Sequence, residues 1–216
     1  MTPHDITRLL EVGIAELGLS LPAEAPTKLC GYIGVLQQWN LKYNLTAVRK
    51  PEEMVSRHVL DSLAVAPWVQ GARVLDVGTG AGLPGIPLAV AFPERHFTLL
   101  DSHGKKTRFV VHVATTLGLR NVEVVQARVE DYRAPDPFDT VITRAFAALA
   151  DFLAVSAHLG GPGSRWLAMK GAPSESELRE LPPGFQLAAV HALKVPGLDA
   201  RRCVVEVRKH VLRSGC

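Results

Sequence analysis

Residues 72–101 read ARVLDVGTGAGLPGIPLAVAFPERHFTLLD. The run Val74-Leu75-Asp76-Val77 is short and apolar, as a buried strand is. It breaks into Gly78-Thr79-Gly80-Ala81-Gly82, and an apolar helical segment follows through Ile86, Leu88, Ala89, Val90 and Phe92. Pro84 and Pro87 suit the start of that helix, where the first amides have no intrahelical partner to lose. A second apolar strand, Phe97-Thr98-Leu99-Leu100, ends in Asp101. Strand, glycine turn, helix and strand with a terminal acid make half of a nucleotide-binding α/β sheet. The glycines let the backbone approach a ligand, and Asp101 can hold ribose hydroxyls.

The glycine spacing narrows the ligand. The dinucleotide fingerprint is G-x-G-x-x-G and cradles a pyrophosphate. Here the glycines fall at 78, 80 and 82, and Leu83 stands where the last glycine would be. Asp76, just before the turn, would repel a pyrophosphate but suits the cationic amino and sulfonium groups of S-adenosylmethionine. A methyl donor therefore ranks above a dinucleotide. An ordinary tight βα connection remains the bland alternative.

Outward from this stretch, the flanks alternate in period. Residues 1–70 form a helical cap on the same compact unit, with Ile6, Leu9, Leu10, Ile14 and Leu17, then Leu29, Ile33, Leu36 and Trp39, at helical spacing. A third helix starts at Pro51 and runs through His58 to Leu63. Residues 71–216 make the sheet-bearing domain. A helix over 105–117 precedes strands at 122–125, 138–142 and 165–169, and runs 186–195 and 203–208 form an antiparallel pair joined by a turn at Pro196-Gly197. Strands alternating with helices mean a mostly parallel sheet.

Composition sets wider bounds. The chain has 216 residues, 47% hydrophobic and 21% charged, with a net charge of +3. That is globular make-up with a basic excess that permits nucleic acid. Cys30, Cys203 and Cys216 have no metal-ligand spacing, so no metal site and a reducing, cytoplasmic setting are expected. Neither a secretory signal nor a membrane span is visible.

Several separated blocks resemble the bacterial small-subunit rRNA guanine-N7 methyltransferases, the family once called glucose-inhibited division protein B. They are Asn44-Leu45-Thr46-Ala47, His58-Val59-Leu60-Asp61-Ser62-Leu63, Asp76 through Pro87, Leu100-Asp101-Ser102, Thr143-Arg144-Ala145 and Met169-Lys170-Gly171. Thr143 stands where the family usually has serine, and His103 and Lys106 vary its SxGKR pattern. The resemblance implies a Rossmann-like class I fold: a seven-stranded, mostly parallel sheet with an antiparallel C-terminal hairpin. It implies S-adenosylmethionine as donor and methylation at N7 of guanine 527 (usual 16S numbering) in the 30S subunit. It also implies donor contacts from Gly78, Leu83, Asp101, Val129, Glu130 and Arg144, beside the turn residues Asp76, Gly80 and Gly82.

The chemistry asks for orientation. Guanine N7 carries a free lone pair, so in-line attack on a sulfonium methyl needs no general base. No Asp/Asn-Pro-Pro-aromatic corner follows the fourth strand, and no cysteine lies in the catalytic region. Arg144 is the candidate for orienting the substrate, through O6 or a phosphate; pairing with Asp76 or Glu130 is the structural alternative. Lys105, Lys106 and Arg108 stand at a helix start, where cations are disfavoured, and with Lys170 they are candidate phosphate contacts; a solvated face is the plainer reading. His58 and Asp61, three apart, form a structural hydrogen-bonded pair on this reading. Asn44 organises a turn, and Trp39, Tyr43 and Phe146 either stack on a base or pack in the core. A monomer is expected. A nicotinamide-linked oxidoreductase and a non-catalytic RNA-binding module are the rival readings.

Overall fold

The computed structural model describes residues 1–209; Cys216 lies outside them. Helices α1 (Pro3–Glu16), α2 (Ala25–Tyr43) and α3 (Pro51–Met54) lead through a π-helical segment, Val55–Leu60, into α4 (Asp61–Leu63). The sheet region then runs β1 (Arg73–Val77), α5 (Gly85–Ala91), β2 (His96–Asp101), α6 (Gly104–Thr116), β3 (Val122–Gln126), β4 (Phe138–Thr143), α7 (Leu149–Ser156), β5 (Gly160–Lys170), α8 (Glu175–Arg179), β6 (Phe185–Leu193) and β7 (Arg202–Lys209). Every strand read from the sequence is present, and β5 begins five residues earlier than its apolar run.

The seven strands lie in the order β3-β2-β1-β4-β5-β7-β6. β1 through β5 pair in parallel, and β7 is antiparallel to both β5 and β6. Strand order reverses between β1 and β4, and in such sheets a ligand sits beyond the carboxyl ends of the strands at that reversal. Gly78 and Arg144 are the first residues past those two ends.

Two apolar layers follow from the two-residue period of the strands. Val74, Phe97 and Leu99 face one core, shared with Ile6, Leu10, Leu29, Leu36 and Leu63 of the cap and with α5 and α6. Leu75, Val77 and Leu100 face the other, against Phe152, Leu153 and Trp166. The cap thus shares its core with the sheet. It also reaches the glycine turn directly: buried Tyr32 on α2 donates its hydroxyl to the Ala81 carbonyl at 2.8 Å.

Thr143 shows why its departure from serine is harmless. Its hydroxyl donates to the Val77 carbonyl (2.7 Å) and accepts from the Ala145 amide (3.1 Å), tying the ends of β1 and β4 together. Serine offers the same hydroxyl. Among the described residues, no helix is long and apolar enough to cross a membrane.

Candidate active site

Two compartments open at the carboxyl edge of the sheet. The outer one, about 310 Å³, is lined by Gly78, Asp101, Lys106, Val129, Glu130 and Phe146, among others. The inner one, about 220 Å³, is lined by Thr46, His58, Gly80, Leu83, Lys106 and Arg144, among others. Gly78, Lys106 and Ala145 border both.

The turn between β1 and α5 shapes the boundary. The Gly78 and Thr79 amides donate to the Leu100 carbonyl at 2.8 and 3.0 Å, which locks the turn onto the end of β2. Gly78 has φ +69°, and a Cβ there would stand 2.8 Å from the Ala145 Cβ. A side chain is therefore excluded both by backbone conformation and by space.

Asp76 lies beneath the turn and lines neither compartment. Its Oδ2 accepts from the Thr79 hydroxyl (2.7 Å) and the Gly85 amide (2.8 Å), and its Oδ1 is buried without a partner. Burial raises its pKa to about 6, although the Thr79 and Gly85 hydrogen bonds and the Arg144 charge pull it down. The acid expected to meet the cationic end of the donor is thus fully buried, and it reaches the compartments only through the turn that it braces. Gly82 likewise serves the turn without lining either space.

Asp101 closes the outer compartment. Its Oδ2 accepts from the Gly80 amide (3.0 Å) with Lys106 Nζ 3.6 Å away, and its Oδ1 accepts from the His103 amide (2.9 Å). The carboxylate is held rigidly at the strand end where ribose hydroxyls bind in folds of this kind. Val129 and Glu130, after β3, provide an apolar surface and a polar group on the same wall. These residues fit an adenosyl group.

Arg144 lines the inner compartment. Its partner is neither Asp76 nor Glu130: Nη1 donates to Asp61 Oδ2 and to the Arg57 carbonyl, both at 3.3 Å. Asp61 is wholly buried, and Arg202 at the start of β7 grips both its oxygens, Nε to Oδ1 at 2.7 Å and Nη2 to Oδ2. Arg202 neutralises the carboxylate, so Arg144 is tethered through one nitrogen. Its Nε and Nη2 make no hydrogen bond among the described residues.

The expected His58–Asp61 pair is absent. The chain between them is π-helical, and its wider turn sends the two side chains to different partners. His58 Nε2 meets the Thr46 hydroxyl at 2.8 Å, while Nδ1 is buried without a partner. Burial, then the Arg144 charge, lower the His58 pKa to about 4, so the ring is neutral. Asn44 does organise a turn: it caps α2 at φ +48°, and its Oδ1 accepts from Arg49.

The basic candidates separate. Lys106 faces the compartments and Asp101. Lys105 lies over the Tyr43 ring, 5.2 Å from its centroid, and Arg108 Nε donates to the Gly104 carbonyl. Lys170 is engaged within the protein: Nζ donates to the Phe146 and Ala147 carbonyls and to Glu177 Oε1 (2.8 Å). Glu177 in turn accepts from the Leu149 amide, so this lysine pins the loop after β4. Thr46, Asp61 and Arg202 are site residues that the sequence reading did not assign. The first two stood in quoted blocks; Arg202 had no local signal. Among the described residues, no group of three or more His, Cys, Asp or Glu could hold a metal ion.

Comparison with known proteins gives the family. The family model described as rRNA small subunit methyltransferase G, GidB, matches residues 26–205. The ribosomal RNA small subunit methyltransferase G of Ectopseudomonas mendocina (strain ymp) is 53% identical over 98% of this chain and 99% of its own length. Its namesake in Pseudomonas aeruginosa (strain LESB58) is 50% identical over 97% of this chain and 98% of that one. Among solved structures, magnesium protoporphyrin IX methyltransferase (ChlM) from Synechocystis PCC 6803 with bound SAM superposes with a TM-score of 0.61. It is 15% identical, covering 83% of this chain and 97% of that one, a likeness of fold alone. With a match spanning most of its length and half its residues identical to those of full-length relatives, the chain belongs to the rRNA small subunit methyltransferase G (GidB) family.

Proposed function

We propose that the protein transfers a methyl group from S-adenosylmethionine to N7 of guanine 527 of 16S rRNA, acting as a cytoplasmic monomer on the 30S subunit. Family membership carries the coarser part: an S-adenosylmethionine-dependent methyltransferase of small-subunit rRNA. It leaves the nicotinamide-linked reading without support. The choice of atom rests on the chemistry of the inner compartment.

The observation that carries it is Arg144, anchored through one nitrogen beside the donor compartment with Nε and Nη2 left for a substrate. A guanidinium so held can donate to guanine O6 or a flanking phosphate while N7 stays open. The bound donor supplies a methyl group made electrophilic by its sulfonium. Asp101 and the wall at Val129 and Glu130 hold the adenosyl end, and Asp76 acts at its cationic end only through the turn that it braces. His58 is neutral, with Nε2 committed to Thr46, and among the described residues no carboxylate lines the inner compartment. A nucleophile that brings its own lone pair needs no more than orientation there.

Residues 1–70 act as a cap that closes the inner compartment through Leu45, Thr46 and His58, in front of the transferase domain from residue 71 onward. The test uses 30S subunits from a strain lacking the modification and a radiolabelled donor. Label at a single N7-methylguanine at position 527 is expected; label on another atom or base, or none, would overturn the assignment.

A further inference from the structure

Two of the acid-free stretches of this chain are rich in cations. Residues 25–51 and 102–122 carry eight of the 24 Lys and Arg and none of the 21 Asp and Glu. Subtracting those eight from the net +3 leaves the rest of the chain at −5, so the basic excess of the protein is local.

The fold brings the two stretches together. Trp39 on α2 packs on Phe109 and His112 of α6, with ring centroids 5.5 and 5.3 Å apart, and on Tyr43 at 5.2 Å. Lys105 Nζ lies 5.2 Å from the Tyr43 centroid. Around this seam Lys42, Lys105, Arg108 and Arg49 are exposed, and none has a carboxylate within 4.0 Å among the described residues. At the margins Lys28 and Lys50 pair with Glu24 and Glu53. Tyr43 is 40% exposed and neighbouring Leu41 86%. Unpaired cations interleaved with an exposed aromatic ring make a surface for a phosphate backbone with unstacked bases.

The seam also leads into the site. Past Asn44 the chain enters Leu45 and Thr46, which line the inner compartment, and Lys106, next to Lys105, borders both compartments. Folding alone gives no reason for the arrangement. Three cations at the start of α6 oppose its dipole, and like charges on facing helices repel.

We propose that the seam between the C-terminal half of α2 and the N-terminal half of α6 is the docking face for single-stranded rRNA flanking the target base, with Tyr43 as its stacking anchor. This rests on the rRNA reading above and adds where the RNA lies.

The test compares the wild type with the triple variant Lys42→Ala/Lys105→Ala/Arg108→Ala, with Tyr43→Ala, Tyr43→Phe and, as a basic control on the other side of the molecule's sequence, Lys194→Ala. Binding to protein-free 16S rRNA and to 30S subunits is measured from about 50 to 200 mM salt. S-adenosylhomocysteine binding reports folding and is expected unchanged throughout. The triple variant is expected to bind RNA at least about tenfold more weakly, with its log–log salt slope shallower by about 2. Tyr43→Ala should weaken binding about tenfold while Tyr43→Phe stays within about twofold, and Lys194→Ala should match the wild type. Wild-type slope and affinity in the triple variant would overturn the proposal. So would a loss seen with 30S subunits but not with protein-free RNA, which would put a ribosomal protein on this face. Methyl transfer by the wild type to unmodified 30S subunits is scored separately, so failure of the parent reading is distinguishable from failure of the docking face.

Discussion

Asp61 is a buried anion between two guanidiniums, one just past the end of β4 and one at the start of β7. Removing one member of such a group leaves another uncompensated, so its effects are coupled. Arg144→Ala is expected to lower kcat on 30S subunits about 100-fold, the scale of losing one oriented donor, with S-adenosylhomocysteine affinity within about twofold. Asp61→Asn should lower kcat about tenfold in the wild-type background and leave it unchanged in the Arg144→Ala background. Equal losses in both would show that Asp61 serves the fold alone. Gly78→Ala is a separate matter. The φ of +69° and the 2.8 Å approach to Ala145 predict at least about a tenfold loss of S-adenosylhomocysteine affinity, read by calorimetry.

At the scale of elements, the β1–turn–α5–β2 unit was legible because strand period, glycine spacing and the terminal acid all act within thirty consecutive residues. The site's other half was not. Asp61 and Arg202 are 141 residues apart, and nothing local marks either as the partner of the other. The partners of Lys170 were not legible either, because a strand-end lysine looks solvent-bound until the loop after β4 folds over it. The π-helical segment defeated an i, i+3 argument that assumes α-helical winding. It also gives a prediction: deleting Ser56 lets Val55–Leu60 rewind as α-helix and rotates His58 off Thr46. Methyl transfer should fall at least about tenfold with S-adenosylhomocysteine binding kept, since the Asp101 wall lies on the sheet. Retained transfer would mean the wide turn is incidental.

For the whole molecule, two buried titratable groups pull stability in opposite senses as pH falls. His58 has its pKa lowered to about 4 by burial, so the unfolded chain binds the proton more readily. That contribution is present above about pH 6.5 and is lost as pH drops toward 4. Asp76 has its pKa raised to about 6, so the folded, ligand-free protein takes up its proton first and gains stability over the same fall. His58→Gln removes one side of this balance. Between pH 7 and pH 5 the variant should gain about 2 kcal/mol relative to the wild type, measured by urea midpoints at each pH. No relative change would show that the imidazole is not held neutral.

β7 fills the gap between β5 and β6, so the sheet cannot be completed in the order in which it is synthesised. A nascent chain that has emerged only as far as residue 200 has its glycine turn, Asp101 and Arg144, yet Asp61 still lacks its main counter-ion. A fragment released before the final hairpin would carry the recognisable motif of the enzyme with the buried Asp61 still waiting for Arg202.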